Sequence, residues 1–213
     1  MQPDTMARQE ATAAAAPAAA MADMLEEDLL RAGTYALLGT LLAAAPNEEV
    51  LDRLRGIEAG AAEGDGLAAS WQLLKQAGMS ARPEELADEY HDLFIGIGRG
   101  ELVPYASWYL TGFLMERPLA QLRHDLARYG IEARPGVSEP EDHVAALCES
   151  MAVVIERADT DAQQAWFDTH LASWMDGFFR DLQQARNARF YRAVGLLGEQ
   201  FMQFERQYLA LPD

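Results

Sequence analysis

Apolar residues recur along this chain at intervals of three and four, the spacing that gathers them on one face of an α-helix, while strict alternation is nearly absent. The pattern predicts an all-α protein, a multi-helix bundle whose elements are bracketed by recognisable start and stop residues. Asp23 and Glu26 stand at capping-box spacing and open a first helix, which carries Leu25, Leu29, Ala32 and Ala36 inward and stops before Pro46. Asn47 caps a short second helix with Val50, Leu51 and Leu54 on one face. It ends near Gly56, and Gly60, Gly64 and Gly66 mark a loose connection. A third helix runs from about Leu67 to Ala77 and stops at Gly78.

Pro83 suits the first turn of a fourth helix, with Glu84 and Glu85 beside the positive end of its dipole and Leu86, Tyr90, Leu93 and Phe94 facing inward. Gly96, Gly98 and Gly100 end it. The stretch from Glu101 to Tyr109 suits strand as well as helix, and Pro104 is placed at a turn into a further helical segment. Pro118 opens a helix with the stripe Leu119, Leu122, Leu126 and Tyr129, closed by Gly130. After a loop from Ile131 to Glu139, Ser138 and Glu141 at capping-box spacing introduce a helix with Val144, Leu147, Cys148, Met151 and Ile155 on one face. Two aromatic-rich stripes close the chain: Leu171, Trp174, Met175, Phe178 and Leu182, then Phe190, Val194, Leu197, Phe201 and Tyr208. No internal repeat or linker divides these elements. One helical domain over 23–213 is expected, preceded by a flexible alanine-rich tail over 1–22 that Pro17 keeps from continuing as helix.

Composition narrows the functions open to such a bundle. Half of the 213 residues are apolar, enough for a sizeable core. With 34 acidic against 17 basic residues the net charge is −17, which repels nucleic-acid backbones and anionic lipid and attracts a basic ligand. The single cysteine, Cys148, permits neither an intramolecular disulfide nor a cysteine-built metal site, as suits a reducing cytoplasm. No uninterrupted apolar run reaches membrane-spanning length, so no membrane insertion is expected.

Candidate chemistry is sparse. Gly96-Ile97-Gly98-Arg99-Gly100 lacks the preceding strand and glycine spacing of a dinucleotide loop, and no Gly-Lys-Ser/Thr follows as a P-loop requires. It reads as a helix stop and a turn. His91, His124, His143 and His170 are scattered without metal-ligand spacing, and no serine lies in a nucleophile elbow. Glu139-Pro140-Glu141-Asp142-His143 is the densest polar cluster. Its acids either cap a helix N-terminus while His143 faces solvent, or do acid–base work with it, which is disfavoured because neighbours on a helix point about 100° apart. The aromatic run Tyr105, Trp108, Tyr109 and Phe113 lies close in sequence to Glu89, Asp92 and Glu101. Core packing is one reading. The other is an apolar surface ringed by carboxylates, suited to a peptide that is basic and then hydrophobic.

Three segments in order carry a family resemblance. Tyr90-His91-Asp92-Leu93-Phe94-Ile95-Gly96, then Val103-Pro104-Tyr105-Ala106-Ser107-Trp108-Tyr109, then Glu139-Pro140-Glu141-Asp142-His143 resemble successive signatures of the TorD/DmsD/NarJ family of molybdoenzyme maturation chaperones. The run from Phe167 to Tyr191 is similar to that family's closing helices, and the resemblance covers about Leu29 to Phe204. It implies an all-helical TorD-like fold, no catalysis, no cofactor, and a cytoplasmic protein. The implied partner is the twin-arginine signal peptide of a molybdenum-cofactor oxidoreductase precursor, held back from export until its cofactor is inserted. The implied peptide-binding residues are Pro140, Asp142 and His143, with Leu93, Phe94, Gly96, Tyr105 and Tyr109. Guanine-nucleotide binding is known for some members, although no phosphate cradle is evident in this chain. The Gly98-Arg99-Gly100-Glu101 insert resembles one branch of the family, which leaves a formate dehydrogenase beside DMSO/TMAO reductase-like enzymes as client. A homodimer formed by exchange of helices fits a bundle of this kind. The competing reading is an assembly scaffold that binds folded subunits and no signal peptide. On the peptide reading, replacing Asp142 and His143 by alanine weakens peptide binding and leaves the unfolding midpoint nearly unchanged; structural caps would show the reverse.

Overall fold

Asn47 illustrates how locally some of these helices are specified: its Oδ1 accepts the Val50 N–H at 3.0 Å and starts a helix at the next residue. The computed structural model describes residues 26–58, 66–97, 99–132 and 139–211. The helices are α1 (Glu26–Ala43), α2 (Glu48–Gly56), α3 (Gly66–Ser80), α4 (Pro83–Tyr90), α5 (Ala106–Thr111) and α6 (Arg117–Arg128), then α7 (Val144–Arg157), α8 (Thr160–His170), α9 (Met175–Gln184) and α10 (Phe190–Leu209). A π-helical turn, His91–Ile95, continues α4 without a break. Among the described residues there is no strand, as the periodicity predicts, and extended pairing is confined to one antiparallel bridge between Tyr105 and His143. The alanine-rich tail, Asp23, Leu25 and Ser138 lie outside the described residues.

Helix α7 is the centre of the bundle. Val144, Leu147, Cys148, Met151, Val154 and Ile155 are buried, and α1 lies along it. Helix α10 forms the second axis, packed against α9 and α3. The tight α9–α10 approach depends on Gly198, because a Cβ there would fall on the Phe179 ring. Buried residues from α1 through α10 join in one apolar cluster. Cys148 lies within it, where burial pushes its thiol well above the ordinary range, consistent with an inert core residue.

Several predicted details are corrected. The inward face of α1 is Arg31, Ala32, Tyr35, Leu38, Leu41 and Leu42, whereas Leu29 and Ala36 face outward. The displaced phase arises because an arginine is turned inward. Arg31, 2% exposed, donates from Nε and Nη2 to both carboxylate oxygens of Glu205 at 2.6 and 3.0 Å and from Nη1 to Asp28 and Gln163 at 2.6 and 2.8 Å. Its guanidinium also lies 4.2 Å from the centre of the Tyr208 ring. Gly78 does not stop α3, which passes through it to Ser80 because the missing side chain lets the helix rest on Leu54. Leu171 and Trp174 are buried in the turn between α8 and α9 rather than on one continuous helix. The Trp174 Nε1–H donates to the His170 carbonyl at 2.8 Å and holds that turn. Asp125 and His170, scattered in sequence, meet at 3.0 Å and fasten α6 to α8, with Gln121 donating to the same carboxylate oxygen at 2.9 Å.

Glu205→Ala removes the bidentate partner of a buried guanidinium and leaves Asp28 and Gln163, and is expected to lower stability by about 1.5–3 kcal/mol in chemical denaturation. The apolar double variant Arg31→Met/Glu205→Leu is expected to lose clearly less.

Candidate functional site

Helix α5 begins with Tyr105 in extended conformation at its N-cap position, where the side chain makes no capping hydrogen bond. The acceptor comes from Asp142, whose Oδ2 takes the N–H of Ser107, 35 residues earlier, at 2.9 Å. Backbone bonds pair the same segments: Ala106 N–H donates to the Asp142 carbonyl at 2.9 Å and Val144 N–H to the Pro104 carbonyl at 2.8 Å. Asp142 is 1% exposed and His143 8% exposed. The reading in which His143 faces solvent is therefore corrected: its Nδ1 accepts the Ala145 N–H at 3.2 Å and starts α7. The capping-box start at Ser138 and Glu141 is corrected with it, because α7 begins only at Val144. Asp142 and His143 each cap a different helix, and the clamp they form brings Tyr105, Pro140, Asp142 and His143 together.

On the outer side of this clamp, the Tyr105 ring meets His143 edge-on at 5.1 Å and its hydroxyl donates to the Glu139 carboxylate. One turn along α5, Tyr109 packs against Trp174 and Phe178 of the α9 region at 5.5 and 6.0 Å. Its hydroxyl donates to Asp181 at 2.9 Å. Both phenols are held well above their ordinary range, by burial first and then by the carboxylate each is bonded to, so both remain protonated donors. Glu139 and Asp181 are themselves exposed. The face of α5 thus presents two half-buried aromatic rings, each with a carboxylate at its rim.

The other predicted residues are placed differently. Leu93 is fully buried, and Phe94 packs between Tyr90 and Tyr191 at 5.0 and 5.4 Å. Gly96, at φ 60°, turns the chain so that the Leu102 N–H reaches the Leu93 carbonyl at 2.8 Å. A Cβ at this position would collide with the Arg99 carbonyl. These three form the base of the loop that leads to α5, with Leu93 buried and Phe94 and Gly96 partly exposed. Tyr90 ties this base to the end of α1, its hydroxyl donating to the Ala43 carbonyl at 3.0 Å, and burial first with the Glu139 charge second raises its pKa.

The acids expected to ring the surface are also partly redirected. The Glu89 carboxylate accepts N–H groups of Arg189, Phe190 and Tyr191 at 2.7, 3.3 and 2.8 Å, supplying the N-terminus of α10 with the cap its own residues lack. Glu101 accepts from Arg186 N–H at 2.7 Å and Asn187 N–H at 3.2 Å. Burial pushes the Glu101 carboxyl up, but those hydrogen bonds outweigh it and hold the group below its ordinary range. Neither acid is free for a ligand. Sequence spacing does not reveal Asp181 as a neighbour of Tyr109, because the pair is 72 residues apart and meets only through α5–α9 packing. Among the described residues no cluster of acids, histidines and cysteine could hold a metal ion, and no helix is long and apolar enough to cross a membrane.

The fold and this surface define an all-helical protein carrying a clamped aromatic and carboxylate face. Residues 61–180 match the model of the nitrate reductase delta subunit family, more than half of the chain, and the protein belongs to that family. This is the TorD/NarJ type that the three sequence signatures resemble. The chaperone protein TorD of Vibrio cholerae is 29% identical over 137 residues, covering 59% of this chain and 62% of that protein, somewhat under two thirds of its length. TorD of Vibrio atlanticus is 26% identical over 203 residues, covering 84% of this chain and 94% of that protein. A crystal structure described as a redox enzyme maturation protein from Archaeoglobus fulgidus shares the fold, with a TM-score of 0.53 and 17% identity over 85% of this chain and 94% of its own.

Burial lowers the His143 pKa below its ordinary 6.5, against the opposing charges of Glu139 and Asp142. The neutral ring is the form that caps α7, so its contribution to stability is complete above about 6.5 and is lost as pH falls toward the depressed folded value. His143→Asn keeps a capping acceptor and should flatten that part of the stability profile, read as unfolding midpoint against pH. Asp142→Ala removes the α5 cap and should lower stability by about 0.5–2 kcal/mol in denaturant unfolding. This replaces the sequence-based expectation of an unchanged midpoint.

Proposed function

We propose that this protein is a cytoplasmic maturation chaperone for a molybdenum-cofactor oxidoreductase and that it holds the twin-arginine signal peptide of its client's precursor until cofactor insertion is complete. The observation that carries this reading is the α5 face, where Tyr105 and Tyr109 each lie against an exposed carboxylate, Glu139 and Asp181. Arginines can take those carboxylates as bidentate partners while the rings receive apolar side chains beside them. The net charge of −17 draws such a peptide in. Relatives named chaperone protein TorD support the role. The clients that suit it are DMSO/TMAO reductase-like enzymes or a formate dehydrogenase. In this reading the chain acts by binding its client.

In this reading Tyr105, Tyr109 and Pro140 face the peptide. Asp142 and His143 hold them in place, and Leu93, Phe94 and Gly96 shape the support beneath.

Titration calorimetry with a synthetic peptide that carries an arginine pair followed by an apolar stretch tests the proposal. Saturable binding that weakens as salt rises is expected. Glu139→Gln/Asp181→Asn should weaken it roughly threefold to tenfold, as two exposed ion pairs imply. Binding of a folded mature subunit with none of the isolated peptide would instead identify an assembly scaffold.

A further inference from the structure

The segment between α5 and α6 exposes apolar side chains that the core does not use. Leu110, Phe113, Leu114 and Met115 are 43%, 69%, 49% and 72% exposed, although each would gain free energy by leaving water. The backbone holds them outward. Gly112, at φ 78°, ends α5 by donating its N–H to the Trp108 carbonyl at 2.8 Å. The Thr111 hydroxyl donates to the Ser107 carbonyl at 2.8 Å and accepts the Phe113 N–H at 3.2 Å. Met115 adopts φ 59°, the one non-glycine residue in the left-handed region among those described. That conformation is unfavourable for a side chain bearing a Cβ, and strain of this kind is stored where surrounding structure fixes a functional loop.

Charge selects the occupant. A second copy of the chain brings the same −17 to the contact, and an anionic lipid surface is repelled for the same reason. Glu139 and Asp181 stand beside the tyrosines of the helix that leads into the patch. The complementary ligand is cationic at one end and apolar at the other. Helix α5 has six residues, about 9 Å of axial length, so roughly three residues of extended peptide connect its acidic face to the apolar loop.

We infer that the 110–115 loop receives the apolar segment of the peptide whose arginines are held at Glu139 and Asp181. The inference rests on the peptide-binding reading above and assigns the second half of the site. It also gives the peptide a direction, with the basic end at the Asp142 clamp and the hydrophobic end toward α6.

The test uses the full chain and fluorescein-labelled synthetic peptides: one with an arginine pair followed by a leucine-alanine stretch, and one that ends after the arginine segment. Phe113→Ser/Met115→Ser is expected to weaken the first peptide by roughly tenfold or more. Its affinity for the arginine-only peptide, its far-ultraviolet circular dichroism and its unfolding midpoint should be unchanged. Independently, benzoylphenylalanine at position 113 should photo-crosslink to the leucine-alanine stretch and not to the arginine segment. Unchanged affinity in the serine variant, with crosslinks absent or confined to the arginines, overturns the assignment of the loop while wild-type peptide binding stands. Failure of the wild-type chain to bind either peptide overturns both readings. A dimer in sedimentation that the serine substitutions abolish, with peptide affinity unaffected, assigns the loop to a second copy and overturns the inference.

Discussion

A helix N-terminus leaves backbone N–H groups without partners, and in this protein that requirement organises the architecture around the site. Neither Tyr105 nor Arg189, the residues preceding α5 and α10, offers a capping side chain. Both helices depend on carboxylates from far away in sequence. Asp142 reaches the Ser107 N–H, and Glu89 gathers the N–H groups of residues 189 to 191. Each bond fixes a helix start relative to another part of the chain. The first joins α5 to the beginning of α7, and the second joins α10 to α4. Because these acceptors are charged and partly or wholly removed from water, the hydrogen bonds are stronger than neutral caps and tolerate little displacement.

The carboxylates divide into those that hold the fold and those that stay at the surface. Asp142, Glu89, Glu101 and Glu205 are occupied by N–H groups of the protein itself. Among the described residues Glu139 and Asp181 each accept from a tyrosine hydroxyl, and both remain at the surface. The acidity of the chain therefore has two components. One set of acids fastens helices together, and the other lies exposed beside the aromatic rings on α5. His143 belongs to the first set by function: its neutral ring caps α7 while one face supports Tyr105. Substitutions at Asp142 or His143 consequently act first on the position of Tyr105.

The sequence by itself determined the helical class, most helix positions and the composition of the core. These follow from local rules: apolar spacing of three and four, Asn47 accepting Val50 N–H, Pro83 in a first turn, and Gly130 at φ 63° closing α6. It also marked the segments that the fold brings together, since Tyr105, Pro140, Asp142 and His143 all belong to two short signatures. Tertiary structure decided what those residues do. Neighbouring Asp142 and His143 serve different helices because their acceptors point apart, and only the pairing of 104–106 with 142–144 gives each a donor. The phase of α1 was hidden for a similar reason. A periodicity argument keeps arginine outside, whereas Glu205, 174 residues away, makes burial of Arg31 tolerable. The partner of Tyr109 and the roles of Glu89 and Glu101 likewise depend on contacts across many residues. Spacing along a helix encodes which face is apolar; which distant group meets a buried charge or an uncapped N–H is set only when the helices pack.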